Sequence, residues 1–293
     1  MAAHAAALHK DSTMKKSISY WAFPGGGPGT KNIGEFFREA KAAGYNAVEL
    51  AVGETGELNL ETPENEVRGI VDQAAEAGIE IASLATGLFW RYSLTSDDPE
   101  KREKAKDVVR KGLQIAAWSG AGALLTIPGV VASPIAKERV QSDVAHERAL
   151  AALKELAPFA ESLKTHIALE NVWNGFLLTP TEMAAFIDSI GSPYVGAYFD
   201  VGNVLVQGLP EDWIRVLGSR IRRIHLKDFR VSVGNINGFV DLLTGDVNWP
   251  EVMAALREIG YTGPLTAEVF PYKHCPEVLI ANTSMAMDAI MKL

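Results

Sequence analysis

Cysteine is nearly absent. Cys275 is the single one in 293 residues, so neither an internal disulfide nor a cysteine-ligated metal cluster can form, a usage that suits the cytoplasm. Positive charge is also in short supply. Twenty-eight Lys and Arg against 36 Asp and Glu leave a net charge of −8 and a pI near 5.4, which argues against nucleic acid or an anionic membrane as partner. No apolar run reaches the ~18–20 residues of a membrane span. The opening MAAHAAALHKDST (1–13) has no apolar stretch long enough for a signal peptide. These residues read as a tag or disordered extension, with Met14, followed by KKSISYW, as the natural start. GxSxG, HExxH and P-loop signatures are missing. The glycine-rich FPGGGPGT (23–30) is interrupted by Pro28 and does not make the GxGxxG turn of a dinucleotide fold.

What is present, in a chain 47% hydrophobic, is alternation. Strand-like runs at 17–20, 47–50, 79–86, 122–129, 166–170, 195–200, 221–227 and 265–270 are each followed by a helical segment. The helices are expected at Asn32–Ala43, from Thr62-Pro63 to Gly78, from Asp98-Pro99 to about Gly120, and at about Lys137–Lys164 with Pro158 kinking or dividing it. The remainder fall at Thr179–Ile190, Pro210–Leu217, Trp249–Ile259 and about Pro276–Met291. Eight strand–helix units with no linker predict a parallel sheet covered by helices. The count predicts one closed (β/α)8 TIM barrel over 14–293, with an open doubly wound sheet as the alternative.

Four of the strand-like runs end in a residue able to bind metal. They read HIALEN (166–171), VGAYFDVGN (195–203), RRIHLKDFR (222–230) and LTAEVF (265–270), and the residues are Glu170, Asp200, His225 and Glu268. Each glutamate alone would be a solvated rim residue, and the histidine alone a core residue. Together, three carboxylates and one imidazole at the C-terminal ends of barrel strands match the needs of one hard divalent cation. Burying them side by side without a cation would be costly. Period-two alternation puts Arg223, His225 and Lys227 on one face. Lys227 is either a snorkelling surface lysine or a contact to substrate oxygen. Glu49 is either an outer partner of the metal site or a charge near a helix N-terminus. Trp90 and Phe176 read as an apolar wall over a ligand, or simply as core. His166, at the far end of its strand, reads as structural and His146 as solvated. Cys275, adjacent to His274, is discounted as a nucleophile.

The pieces ALEN (168–171), FDVGN (199–203), IHLKD (224–228) and GYTGPLTAE (260–268) resemble the sugar phosphate isomerase/epimerases of the xylose isomerase-like TIM barrel superfamily. FDVGN with IHLKD is most similar to the ketose-5-phosphate 3-epimerases and hexulose-6-phosphate isomerase-like proteins. The resemblance implies one divalent ion held by Glu170, Asp200, His225 and Glu268, commonly Mn²⁺, with Mg²⁺ or Co²⁺ as substitutes. It also implies that Glu170 and Glu268 double as the acid/base pair of a 3-epimerisation through a metal-stabilised cis-enediolate. The free-ketose branch carries a second glutamate where this chain has Phe176, and a histidine where it has Asn203. Both departures weaken a free-ketose site, so a ketose phosphate is the expected substrate. Lys227, Arg230 and the run VGNING (233–238) would then hold its phosphate, the alternative being that Arg230 pairs with a carboxylate such as Asp228, while Trp90, Phe176 and Asn203 complete the substrate contacts. The partner is a small sugar or sugar phosphate, with homo-oligomerisation left open. The alternatives are an inosose dehydratase-like lyase and a non-catalytic sugar-binding barrel. Endonuclease IV, of the same superfamily, needs more histidines than the four outside 1–13.

Overall fold

The computed structural model describes residues 14–293, and the extension expected at 1–13 lies outside the described residues. The first strands are β1 (Lys15–Ser19), β2 (Ala47–Ala51), β3 (Glu80–Ala85), β4 (Ala123–Thr126) and β5 (His166–Glu170). They are followed by β6 (Val195–Asp200), β7 (Ile221–Leu226), a short hairpin of β8 (Asp228–Phe229) and β9 (Phe239–Val240), and β10 (Pro264–Ala267). Eight of them close a parallel barrel in the order β1-β10-β7-β6-β5-β4-β3-β2. Outside it lie α1 (Ile33–Ala42), α2 (Glu64–Ala77), α3 (Pro99–Ser119), α4 (Ser142–Leu163), α5 (Pro180–Ile190), α6 (Pro210–Leu217), α7 (Trp249–Glu258) and α8 (Glu277–Ile290). The protein is a single (β/α)8 TIM barrel. No helix of the described residues is long and apolar enough to cross a membrane.

The strands are apolar because both faces are covered; every residue of β6 is buried. One set of side chains packs outward against the helices. The other fills the barrel with Ala85, Ala123, Leu125, Ala168 and Tyr198, under a half-buried Trp21. At the N-terminal end, Arg223 reaches across the bore and donates to the carbonyls of Ala82 (2.7 Å) and Ala121 (2.8 Å).

Helix boundaries follow local chemistry. Asp98 caps α3 by accepting from Glu100 N–H, and Gly120 closes it in the left-handed region at φ 73°. Two helix starts differ from the expectations. α4 starts at Ser142, not Lys137, because Val140 N–H donates to the Val131 carbonyl and holds that stretch as loop. It then runs through Pro158 undivided. α2 begins after Pro63, since the Thr62 hydroxyl accepts from Asn59 N–H instead of capping the helix. The stretch after β7, which holds the VGNING run, carries the β8–β9 pairing, with Phe229 opposite Phe239.

Candidate metal centre and cavity

Glu170 and Asp200 are the last residues of β5 and β6, His225 is the penultimate residue of β7, and Glu268 directly follows β10. A register shift between Ala197 and Tyr198 sets Asp200 directly beside His225, a use of bulges common next to functional sites. All four are buried, and one ligand atom from each lies within 4.8 Å of the others. His225 Nδ1 is 2.7 Å from Glu268 Oε2, 3.8 Å from Asp200 Oδ2 and 3.9 Å from Glu170 Oε1. Lys227 Nζ reaches Asp200 Oδ2 and Glu268 Oε2, each at 2.9 Å.

Asp200 Oδ2, His225 Nδ1 and Glu268 Oε2 are buried without a hydrogen bond of acceptable geometry. Beyond Lys227 and one another these three converging atoms have no polar partner, which fits a divalent cation. The charge balance points the same way. Four buried carboxylates, Glu49 included, face two basic side chains, Lys227 and His225.

Burial raises the Glu170 and Asp200 carboxyls above the usual range, and the neighbouring carboxylates add to it. Burial pushes Glu268 the same way, but Lys227 and His225 prevail and hold it at about 2. Burial would lower His225 and Lys227, yet Glu49 and Glu268 lift the imidazole well above its ordinary value, while Asp200, Glu268 and Glu170 lift the ammonium.

The outer contacts settle which imidazole nitrogen faces the site. His225 Nε2 sits 3.0 Å and 3.2 Å from the two oxygens of Glu49. A carboxylate accepts, so Nε2 carries the proton and Nδ1 points at the three carboxylates. Glu49 in turn accepts from the Ser83 hydroxyl at 2.9 Å and from the Tyr198 hydroxyl at 2.5 Å. Of the two readings of Glu49, the structure places it as an outer partner. Sequence reasoning missed Tyr198 and Ser83. Tyr198 lies two residues before Asp200, so the period-two reading applied to β7 would have put it inside the barrel. Asn171 was missed as well. Its side chain accepts from Asp200 N–H and donates to the Asp200 carbonyl, both at 2.8 Å, tying the ends of β5 and β6 together.

Above this floor opens a cavity of about 820 Å³. Glu170, Glu268, Lys227 and Asn203 line it, whereas Asp200 and His225 do not. Trp90 is on its wall, together with Trp21, Trp173 and Phe239.

Phe176 is a correction. It is buried away from the cavity, with its ring edge-on to Phe186 (5.6 Å) and His146 (6.3 Å), so His146 packs on core although it is exposed. Arg230 is another. It is exposed, donates to the Thr244 carbonyl at 2.8 Å, and does not line the cavity. In VGNING the N–H groups of Val233, Asn237 and Gly238 are already bonded within the loop. The expected phosphate contacts therefore do not converge. Asn203 is at the cavity, but its amide N–H groups bond the Asn171 carbonyl (3.0 Å) and Glu170 Oε1 (3.3 Å), and its backbone N–H bonds Asp200 Oδ1 (2.8 Å). It braces two of the four acidic and imidazole groups. His166 lies at the opposite end of β5 from Glu170, as expected.

Comparison with known proteins agrees with this geometry. Residues 37–289 match the family model described as xylose isomerase-like TIM barrel. A protein of Escherichia coli (strain K12), provisionally named L-ribulose-5-phosphate 3-epimerase, is 26% identical over 246 residues, covering 82% of this chain and 84% of its own length. The D-psicose 3-epimerase of Enterocloster bolteae is 28% identical over 244 residues, covering 80% of this chain and 76% of its own. Among solved structures, D-psicose 3-epimerase with D-tagatose from Clostridium cellulolyticum H10 superposes with a TM-score of 0.78 at 18% identity, over 95% of this chain and 99% of that one. With the model spanning most of the barrel, the chain belongs to the xylose isomerase-like TIM barrel family.

Proposed function

We propose that the protein is a divalent-metal-dependent carbohydrate epimerase that inverts C3 of a ketose. The observation that carries this reading is the division of the four-residue cluster. Glu170 and Glu268 are open to the cavity, while Asp200 and His225 are sealed beneath it. Two groups that a sugar can touch suit proton transfer, and two that it cannot suit holding an ion. The names of the relatives support the reaction class.

Glu170, Asp200, His225 and Glu268 would hold the cation, with Mn²⁺ the expected ion. Bound there, it supplies Lewis-acid polarisation of the ketose carbonyl and offsets the negative charge that builds on oxygen when the C3 proton leaves. The rest belongs to the chain. Glu170 and Glu268 come from strands separated in the barrel by β6 and β7, so they flank a sugar lying between them. One removes the C3 proton and the other returns a proton to the opposite face. Lys227 Nζ, 2.9 Å from Glu268 and 4.0 Å from Glu170, sits between the two and donates to the substrate oxygens. The aromatic walls keep bulk water from the reacting carbons.

The test is product analysis of the Mn²⁺-loaded protein with free ketoses in D₂O. Epimers labelled at C3 are expected, and chelation abolishes them until Mn²⁺ or Co²⁺ is restored. Full activity in a verified metal-free sample would sink the metal role, and an unsaturated product would replace the epimerase by the lyase. Glu268→Gln, with metal occupancy measured alongside, is expected to lower kcat by roughly 10²–10⁴. Near-normal turnover with metal bound would remove Glu268 from proton transfer.

A further inference from the structure

The cavity is far larger than the sugar that the floor requires. Clefts of about 300–1,000 Å³ hold drug-sized ligands, and this one, at about 820 Å³, lies in the upper part of that range. A ketose with its first three carbons at Glu170 and Glu268 projects its remote end upward, where polar partners are few. The Tyr20 hydroxyl donates to the Lys31 carbonyl, the Thr86 hydroxyl accepts from Leu88 N–H, and Glu54 is bound by Arg91 and Tyr92. Sugar hydroxyls brought there would exchange their water for few partners, chiefly the Thr86 hydroxyl and the remaining lone pairs of Glu54, which is unfavourable. Lys227 is the one cationic side chain among the described residues lining the cavity, and its carboxylate neighbours hold it at the floor. A remote phosphate would therefore meet no free cation.

The upper wall offers apolar surface instead. Trp90 and Ile135 arrive on the loops after β3 and β4, Ile236 on the β8–β9 hairpin, and Phe270 on the loop after β10. Ile135, Ile236 and Phe270 remain 53%, 50% and 59% exposed. Four separate loops hold apolar side chains toward one space, three of them exposed and Trp90 half-buried, an arrangement that a ligand completes. The lower wall is rigid. Its Trp173 and Phe239 pack on each other and on the fully buried Phe229 behind them, with ring centroids 5.0–5.4 Å apart. A wall of aliphatic as well as aromatic groups fits an apolar substituent better than the hydroxylated edge of a sugar.

Resting on the epimerase reading, we propose that the natural substrate is a keto-sugar carrying an apolar, ring-sized group at the end remote from the reacting carbons. Trp90, Ile135, Ile236 and Phe270 select that group.

The test compares binding of 6-O-methyl-D-fructose and 6-O-benzyl-D-fructose to the Mn²⁺-loaded protein by titration calorimetry, with D-fructose 6-phosphate as a third probe. The benzyl ether is expected to bind about 10- to 100-fold tighter than the methyl ether, the scale of burying one phenyl ring. In Phe270→Ala and Ile236→Ala that ratio falls toward one. Both side chains are half exposed, so folding does not depend on them. Equal affinity for the two ethers, an unchanged ratio in both variants, or tightest binding of the phosphate would overturn the proposal. Turnover in the same samples is a separate readout. If neither ether is epimerised, the epimerase reading fails, while the affinity ratio still decides the apolar subsite.

Discussion

Glu49 and His225 are both fully buried, and their contact decides which ring nitrogen is left for an ion. Glu49→Gln keeps the shape but can turn its NH₂ toward the imidazole, loosening both tautomer and ring angle. The expected result is a 10- to 100-fold loss of Mn²⁺ affinity, the usual effect of removing such an outer partner, read by calorimetry. An affinity within twofold of the wild type would show that Glu49 does not orient the ring. His166 gives a prediction of a different kind. Burial holds its imidazole below the ordinary value of 6.5; the flanking Arg222 and Arg223 add to this, and the Gly122 carbonyl opposes it. The folded chain therefore prefers the neutral ring. As pH falls through about 6.5, the unfolded chain takes up a proton first. The stabilisation by this site is complete above that pH and fades below it. His166→Asn is expected to flatten the fall in denaturation midpoint between neutral and mildly acidic pH. An identical slope in the variant would show that the site is not linked to folding.

Gly202 and Lys227 show how two strand ends are fitted together. A Cβ on Gly202 would stand 2.6 Å from the Lys227 Cβ and 3.0 Å from its backbone carbonyl carbon. FDVGN needs its glycine because IHLKD passes that close. Gly202→Ala is expected to cost about 1–3 kcal/mol through overpacking, measured by urea denaturation, and to shift Lys227 from the carboxylates. Wild-type stability in the variant would refute the tight contact. At this scale the sequence was informative where each residue had one dominant partner. Asp98 capped α3 and Gly120 ended it because those groups act on backbone one turn away. Reading failed where a distant group intervened. Val131 holds Val140 out of α4, and the Phe229–Phe239 pairing inside a polar loop has no period to betray it. Phe176 and Arg230 failed for the same reason, since Phe186 and Thr244 claim them from other parts of the chain. The four ligand-type residues were legible because they end consecutive buried strands, a position that the barrel turns into proximity.

For the molecule as a whole, the excess of buried carboxylate makes the metal-free fold self-repelling at its mouth. Binding of an ion to the folded form alone should stabilise it by about 2.7 kcal/mol at 100 times the dissociation constant. Urea denaturation with and without Mn²⁺ checks this; coincident curves would show that the cluster does not bind the ion. The other end of the bore is closed by the Arg223 guanidinium, hydrogen-bonded across it to Ala82 and Ala121, with Tyr198 packed above. The barrel is thus a cul-de-sac. In the epimerase proposed above, substrate and product would share the mouth beside Trp90, Ile236 and Phe270, so each would occlude it for the other. Product would then compete with substrate for the free protein, and the direction of net conversion would be set by what the surroundings remove rather than by the protein.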